Sequence, residues 1–114
     1  MSYLKKAAVI AALFALVAAP SLVVTPAATA KPFAARAIIA CESGGDPRAQ
    51  NKYSSASGLY QFIDSTWRAY RGDSTASRAA YASVREQHAA AYRLFADQGY
   101  KPWSASKSCW SQLI

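Results

Sequence analysis

The sequence predicts a small, mainly helical domain stapled by one disulfide. Three observations carry that prediction. Apolar residues recur at helical spacing in two separate runs, residues 33–41 and 84–95. Between them, residues 48–57 are polar and without apolar periodicity, so they read as a loop holding at most a weak β-hairpin. The two cysteines, Cys41 and Cys109, stand near opposite ends of a chain that follows an exported-type leader.

The leader is residues 1–30. Lys5-Lys6 precede an uncharged run over 7–19 dominated by Ala, Val, Leu and Ile; Pro20 and Pro26 interrupt its end, and Ala28-Thr29-Ala30 is a small-x-small cleavage site. That pattern reads as a secretory signal peptide cut after Ala30. The alternative is an uncleaved membrane anchor, against which the run is short and broken by proline. The mature chain is then one domain, residues 31–114, secreted and free of stable membrane association after cleavage. It carries eleven basic against six acidic residues. Such a surface suits an anionic partner: nucleic acid, anionic membrane or bacterial cell wall. The basic residues are scattered singly and form no nucleic-acid module, so nucleic acid is not expected. Charge alone does not choose among the rest.

The first helical run places Phe33, Ala37, Ile38 and Cys41 on one face. Gly44-Gly45 and Asp46-Pro47 cannot continue it. Glu42 therefore falls in the last turn, where the carbonyl end of the helix dipole disfavours negative charge. If apolar neighbours also exclude water, both effects raise its pKa and keep it protonated, as a general acid requires. Ser43 is expected among the substrate-binding residues, and its hydroxyl either bonds Glu42 or caps the turn; Asp46 caps the turn that follows.

Gly58 permits a close backbone approach or a positive φ angle. After it, Leu59, Phe62 and Ile63 are expected in the core, with Tyr60 and Gln61 directed into a cleft. Asp64 or Ser65 caps a short helix carrying Thr66, Trp67 and Tyr70, which Gly72 ends. Residues 73–82 are a connector of small residues, with at most one short helix. Ser83-Val84-Arg85-Glu86 is a capping box, and Val84, His88, Ala91, Tyr92 and Phe95 continue at helical spacing to a stop at Gly99. Tyr92 is expected in the core and His88 in the core or at its boundary. The tail, residues 100–110, reads as an aromatic loop.

A mature chain of this length is near the size where burial alone barely outweighs ordering entropy. Export makes a disulfide the default for its two cysteines. Closing so long a loop stabilises the fold by roughly 4 kcal/mol in the chain-entropy view. Two cysteines and one distant histidine supply no recognisable metal-ligand cluster, so neither metal nor cofactor is expected.

Cys41-Glu42-Ser43-Gly44-Gly45, Gly58-Leu59-Tyr60-Gln61-Phe62 and Ser65-Thr66-Trp67 resemble the catalytic domain of resuscitation-promoting factors, within the lysozyme and lytic transglycosylase superfamily. Arg85-Glu86-Gln87, Gln98-Gly99-Tyr100, Trp103 and a late cysteine continue the resemblance over essentially the whole mature chain. Gly-Leu-Tyr-Gln is nearer the lytic transglycosylase form. The resemblance implies a lysozyme-like, mainly α (α+β) fold with a groove, acting on peptidoglycan glycan strands as a wall-associated enzyme; a monomer is expected. It implies that Glu42 is catalytic and that Cys41 pairs with Cys109. It implies that Gln61 and Thr66 line the groove, and Trp67, Gln98 and Trp103 match further family positions. From their own chemistry, Gln61 is a groove ligand or a backbone partner. Tyr60, Trp67 and Trp103 stack on sugars or fill the core.

Ordinary glycosidases use two carboxyl groups. Here only Glu42 has a motif around it; Asp46, Asp64, Asp73, Glu86 and Asp97 read as caps, connector or helix-end residues. A lone glutamate suits the anhydro-forming scheme that the resemblance implies, although hydrolysis by water needs no further residue. Two readings from other classes stand beside this one, a non-catalytic wall-binding module and a membrane-tethered partner-binding protein.

Overall fold

The computed structural model describes residues 32–114; the predicted leader and its cleavage site lie outside the described residues. Four α-helices and two stretches of 3-10 helix make up these residues: α1 (Ala35–Glu42), α2 (Asp64–Tyr70), a 3-10 turn (Ala79–Tyr81), α3 (Val84–Gln98), a 3-10 stretch (Lys101–Ser106) and α4 (Lys107–Trp110). In place of a hairpin there are two isolated antiparallel bridges, Gln50 with Ser57 and Ser57 with Phe62. No helix among the described residues is long and apolar enough to cross a membrane.

The first helix forms as its spacing predicts, burying Ala37 and Ile38 with Phe33 just before it. It ends where the glycines begin: the amides of Ser43 and Gly44 both donate to the Ile39 carbonyl. Asp46 accepts from the Arg48 amide at 2.8 Å, the turn cap expected of it. Ring packing centres on Phe33, which lies 4.6 Å from Phe95 and 5.3 Å from Trp103 between ring centroids. Apolar area of this kind is the main stabilising term in so small a domain.

Gly58 is required on two counts. Its φ is +81°, and a Cβ there would lie 2.5 Å from the Gln87 side-chain oxygen and 3.1 Å from Ala79 Cβ. The crowding oxygen has a task. Gln87 is fully buried; its Oε1 accepts from the Leu59 amide at 2.7 Å, and its Nε2 donates to the carbonyls of Pro47 at 3.0 Å and Ala82 at 3.2 Å. One side chain thus ties the turn after Glu42, the Gly58 turn and the approach to α3. A buried amide needs such partners, and so do the backbone groups it meets.

Both halves of the capping box are made: Ser83 accepts from the Glu86 amide, and Glu86 accepts from the Ser83 amide. The buried face of α3 differs from the expected one. Gln87, Ala90, Ala91 and Leu94 are buried, whereas Val84 is 44 % and Tyr92 52 % exposed. Small alanines let α3 approach its neighbours closely, and Gln87 is buried by its hydrogen bonds rather than by its hydropathy. Tyr92 meets Phe33 edge-on at 5.2 Å from the rim. Ile63 is likewise exposed, because it is the N-cap residue of α2. Neither Asp64 nor Ser65 caps that helix. Asp64 is its first residue, pairs with Arg78 at 3.2 Å, and gives its amide to the Ser55 hydroxyl at 3.0 Å.

The tail is helical rather than loop. The stretch Lys101–Ser106 and α4 are both very short, and such elements carry too few residues for periodicity to register. The Trp110 indole donates to the Trp103 carbonyl at 2.9 Å, and Cys109 is bonded to Cys41.

Candidate active site

Glu42 is the last residue of α1 and is half-buried. Burial pushes its carboxyl pKa up, and a hydrogen bond from the Ser106 hydroxyl to Oε2 opposes that shift in part. The carbonyl end of α1 acts in the same direction as burial. Both effects favour the neutral form, the direction a general acid needs.

Ser106 lies sixty-four residues away from Glu42 in the chain. The disulfide explains how it arrives: Cys109, three residues beyond Ser106, is joined to Cys41, the residue before Glu42, with Cα atoms 6.0 Å apart. Ser43 takes the turn-capping alternative. Its hydroxyl donates to the Ile39 carbonyl and accepts from the Gly45 amide, each at 3.2 Å.

A depression of about 280 Å³ opens nearby, lined by Tyr60, Gln61, Thr66, Gln98 and Trp103, with Phe62, Ile63, Leu94 and Pro102 between them. It gathers five of the seven residues expected to touch substrate. Ser43 and Trp67 do not line it. Trp67 is 0 % exposed, its indole donating to the Ala76 carbonyl at 2.8 Å, so it packs the core and offers no face for a sugar. Tyr60 and Trp103 border the depression with almost all their area buried; the Trp103 indole donates to the Tyr60 carbonyl at 3.1 Å. The Tyr60 hydroxyl meets His88 Nδ1 at 2.6 Å, and burial pushes the phenol pKa well above its ordinary value. His88 is accordingly a boundary residue.

The polar lining is partly committed. Gln61, in left-handed backbone with φ 55°, spends its side-chain Nε2 on the Gly58 carbonyl at 3.0 Å, and the residue lines the depression. Gln98 donates to the Tyr70 hydroxyl at 3.0 Å, and that hydroxyl donates to Asp97. Glu42 is not among the lining residues. Trp103 connects the two, because the Ser106 hydroxyl that meets Glu42 also lies 3.2 Å from the Trp103 carbonyl.

The other carboxylates are occupied or elsewhere. Asp46 holds its turn, Asp64 pairs with Arg78, Asp97 meets Tyr70, and Glu86 sits in the capping box, where the Ser83 amide lowers its pKa. Asp73 rims a separate depression with Arg71, Arg85 and Arg93. No charged group is among the causes of the shift on Glu42. The sequence assigns no role to Ser106, whose one available signal is its place three residues before the paired cysteine. Gln87 stands in the matched Arg85-Glu86-Gln87, but its buried bonding role is not read from it.

A profile of the transglycosylase-like domain family matches residues 29–106. Among curated proteins, the chain is 39% identical over 88 residues to resuscitation-promoting factor Rpf1 of Corynebacterium glutamicum, covering 76% of this chain and 45% of that one. It is 42% identical over 67 residues to probable transglycosylase SceD 2 of Staphylococcus saprophyticus, covering 54% of this chain and 25% of that one. The chain therefore spans less than half the length of either relative.

Proposed function

The chain belongs to the transglycosylase-like domain family, and from that premise we propose that it cleaves the β-1,4 bond between N-acetylmuramic acid and N-acetylglucosamine in peptidoglycan. The observation that carries this reading is Glu42, a single carboxyl group held half-buried with a raised pKa at a helix's carbonyl end. Protonated at rest, it gives its proton to the bridging oxygen as the bond from that oxygen to the muramyl C1 breaks. The leaving sugar departs with a 4-hydroxyl. The Glu42 carboxylate then takes the proton of the muramyl 6-hydroxyl, whose oxygen closes onto C1 as a 1,6-anhydro ring. Both proton and glutamate are restored, and no second carboxylate is needed; the substrate's acetamido group stabilises the cationic centre.

The depression supports the substrate class. Apolar Phe62, Ile63, Leu94 and Pro102 line it beside the polar Gln61, Thr66 and Gln98, the mixture a sugar ring presents in return. Residues 1–30 act in this proposal as a signal peptide removed after Ala30, which delivers the domain to the wall; its basic surface suits an anionic polymer there.

Mass spectrometry of digested peptidoglycan, wild type beside Glu42→Gln, tests the proposal. Anhydro-muramyl ends from the wild type alone are expected. Hydrated reducing ends alone would replace the anhydro route by hydrolysis, and undiminished cleavage by Glu42→Gln would remove Glu42 from the chemistry. N-terminal sequencing of exported protein should begin at Lys31, and a retained leader would favour a tether.

A further inference from the structure

The Ser106 hydroxyl faces two acceptors, Glu42 Oε2 and, at 3.2 Å, the Trp103 carbonyl. A serine hydroxyl has one hydrogen. When Glu42 is ionised the charge-assisted bond takes it. When Glu42 is neutral, the hydrogen can serve either oxygen. The Ser106 hydroxyl bonds Oε2 and not Oε1, so the two carboxyl oxygens are not equivalent. The hydroxyl is also held in place. Ser106 ends the 3-10 stretch Lys101–Ser106, Cys109 beyond it is bonded to Cys41, and the Trp103 carbonyl is anchored by the Trp110 indole at 2.9 Å.

Resting on the reading of Glu42 as acid and base, we propose that Ser106 is its positioning residue: the hydroxyl holds Oε2, leaving Oε1 as the oxygen that gives up the proton and later recovers one. Burial favours the neutral acid. The Ser106 bond strengthens as negative charge appears on the carboxylate, and so it acts in the transition state more than in the ground state. The charged side chains on the elements around Glu42 are Arg36 on α1, Asp46 in the turn after it, Lys101 on the 3-10 stretch and Lys107 on α4. None of them is among the causes of the shift on Glu42; Ser106 is the one side chain among those causes, and it opposes burial.

The test compares wild type, Ser106→Ala, Ser106→Thr and Glu42→Gln on soluble peptidoglycan fragments, together with a carbon-13 titration of the Glu42 carboxyl in the free protein. Ser106→Ala should lower kcat about 10- to 100-fold with little change in KM, the loss of one hydrogen bond to a charged group. It should also move the Glu42 titration and the high-pH limb of the rate profile upward, because the bond it removes favours the ionised form. Ser106→Thr keeps the hydroxyl and should restore both. An unmoved Glu42 titration in a folded Ser106→Ala protein overturns the assignment, as does a rate loss that Ser106→Thr fails to restore. Full activity in Glu42→Gln would instead strike the underlying reading, so the two failures are distinguishable.

Discussion

Gly58→Ala should be among the most damaging single-methyl changes in this domain. The new Cβ would sit 2.5 Å from Gln87 Oε1 and 3.1 Å from Ala79 Cβ, at a φ of +81°. The left-handed backbone alone costs roughly 1–2 kcal/mol for a residue with a Cβ. Relieving the 2.5 Å contact means moving Gln87 Oε1 away from the Leu59 amide, which it accepts from at 2.7 Å. That leaves a buried donor short of its partner, at roughly 1–3 kcal/mol. The sum is about 2–5 kcal/mol, a large share of what a domain of this size has in total. At 4–8 °C per kcal/mol for domains of roughly 60–100 residues, Tm should fall by about 10 °C or more. Urea unfolding of Gly58→Ala, Gln87→Ala and the double variant gives the assay. Gln87→Ala removes the obstructing oxygen, so the double variant should be less destabilised than the two singles added together, by about 1 kcal/mol or more. A Gly58→Ala protein melting within two or three degrees of wild type, or strictly additive effects, would refute the reasoning.

Glu42→Gln should lower the cleavage rate by about 10²–10⁴-fold, the usual range for a general acid, with far-UV and near-UV circular dichroism unchanged. The same variant should gain stability at neutral pH. A folded-state pKa raised by burial means that the ionised form is disfavoured in the folded protein, so wild-type stability is lost as pH rises from the ordinary carboxyl value through the folded one. The Tm difference should therefore vanish below about pH 4, and a difference independent of pH would contradict it. Replacing Cys41 and Cys109 together by alanine should cost about 4 kcal/mol in the chain-entropy view, for a bridge closing 68 residues, and should depress activity by releasing Ser106 from Glu42; chemical denaturation beside a rate assay reads both. Thr66→Val should raise KM with little change in kcat, whereas Trp67→Phe should act on stability alone, since the ring is 0 % exposed.

The features legible in the sequence are those that short-range rules dictate. Glu42 at a helix end follows from an apolar stripe running into Gly44-Gly45, and the capping box at Ser83 and Glu86 follows from two residues three apart. The need for glycine at 58 is local in the same sense, since a left-handed φ is a property of one residue. The disulfide follows from there being two cysteines in an exported-type chain. Which aromatic is buried is a different matter. Val84 and Tyr92 satisfy the helical period yet face solvent, and Gln87 violates hydropathy yet lies in the core. A helix presents a stripe, and its neighbours decide which edge of the stripe they cover. Trp67 and Tyr60 likewise look able to stack on a sugar, yet both are fully buried, and only Tyr60 borders the depression.

By itself, then, the chain's pattern determined that this is a small helical domain with one carboxylate set apart from the rest. Tertiary structure alone decided what surrounds that carboxylate. Ser106 meets Glu42 across sixty-four residues because one covalent bridge closes the loop between them, and the burial that raises the acid's pKa exists only once the tail has folded against α1. Local sequence rules act over a few residues, whereas proton affinity is set by whatever the closed chain brings near.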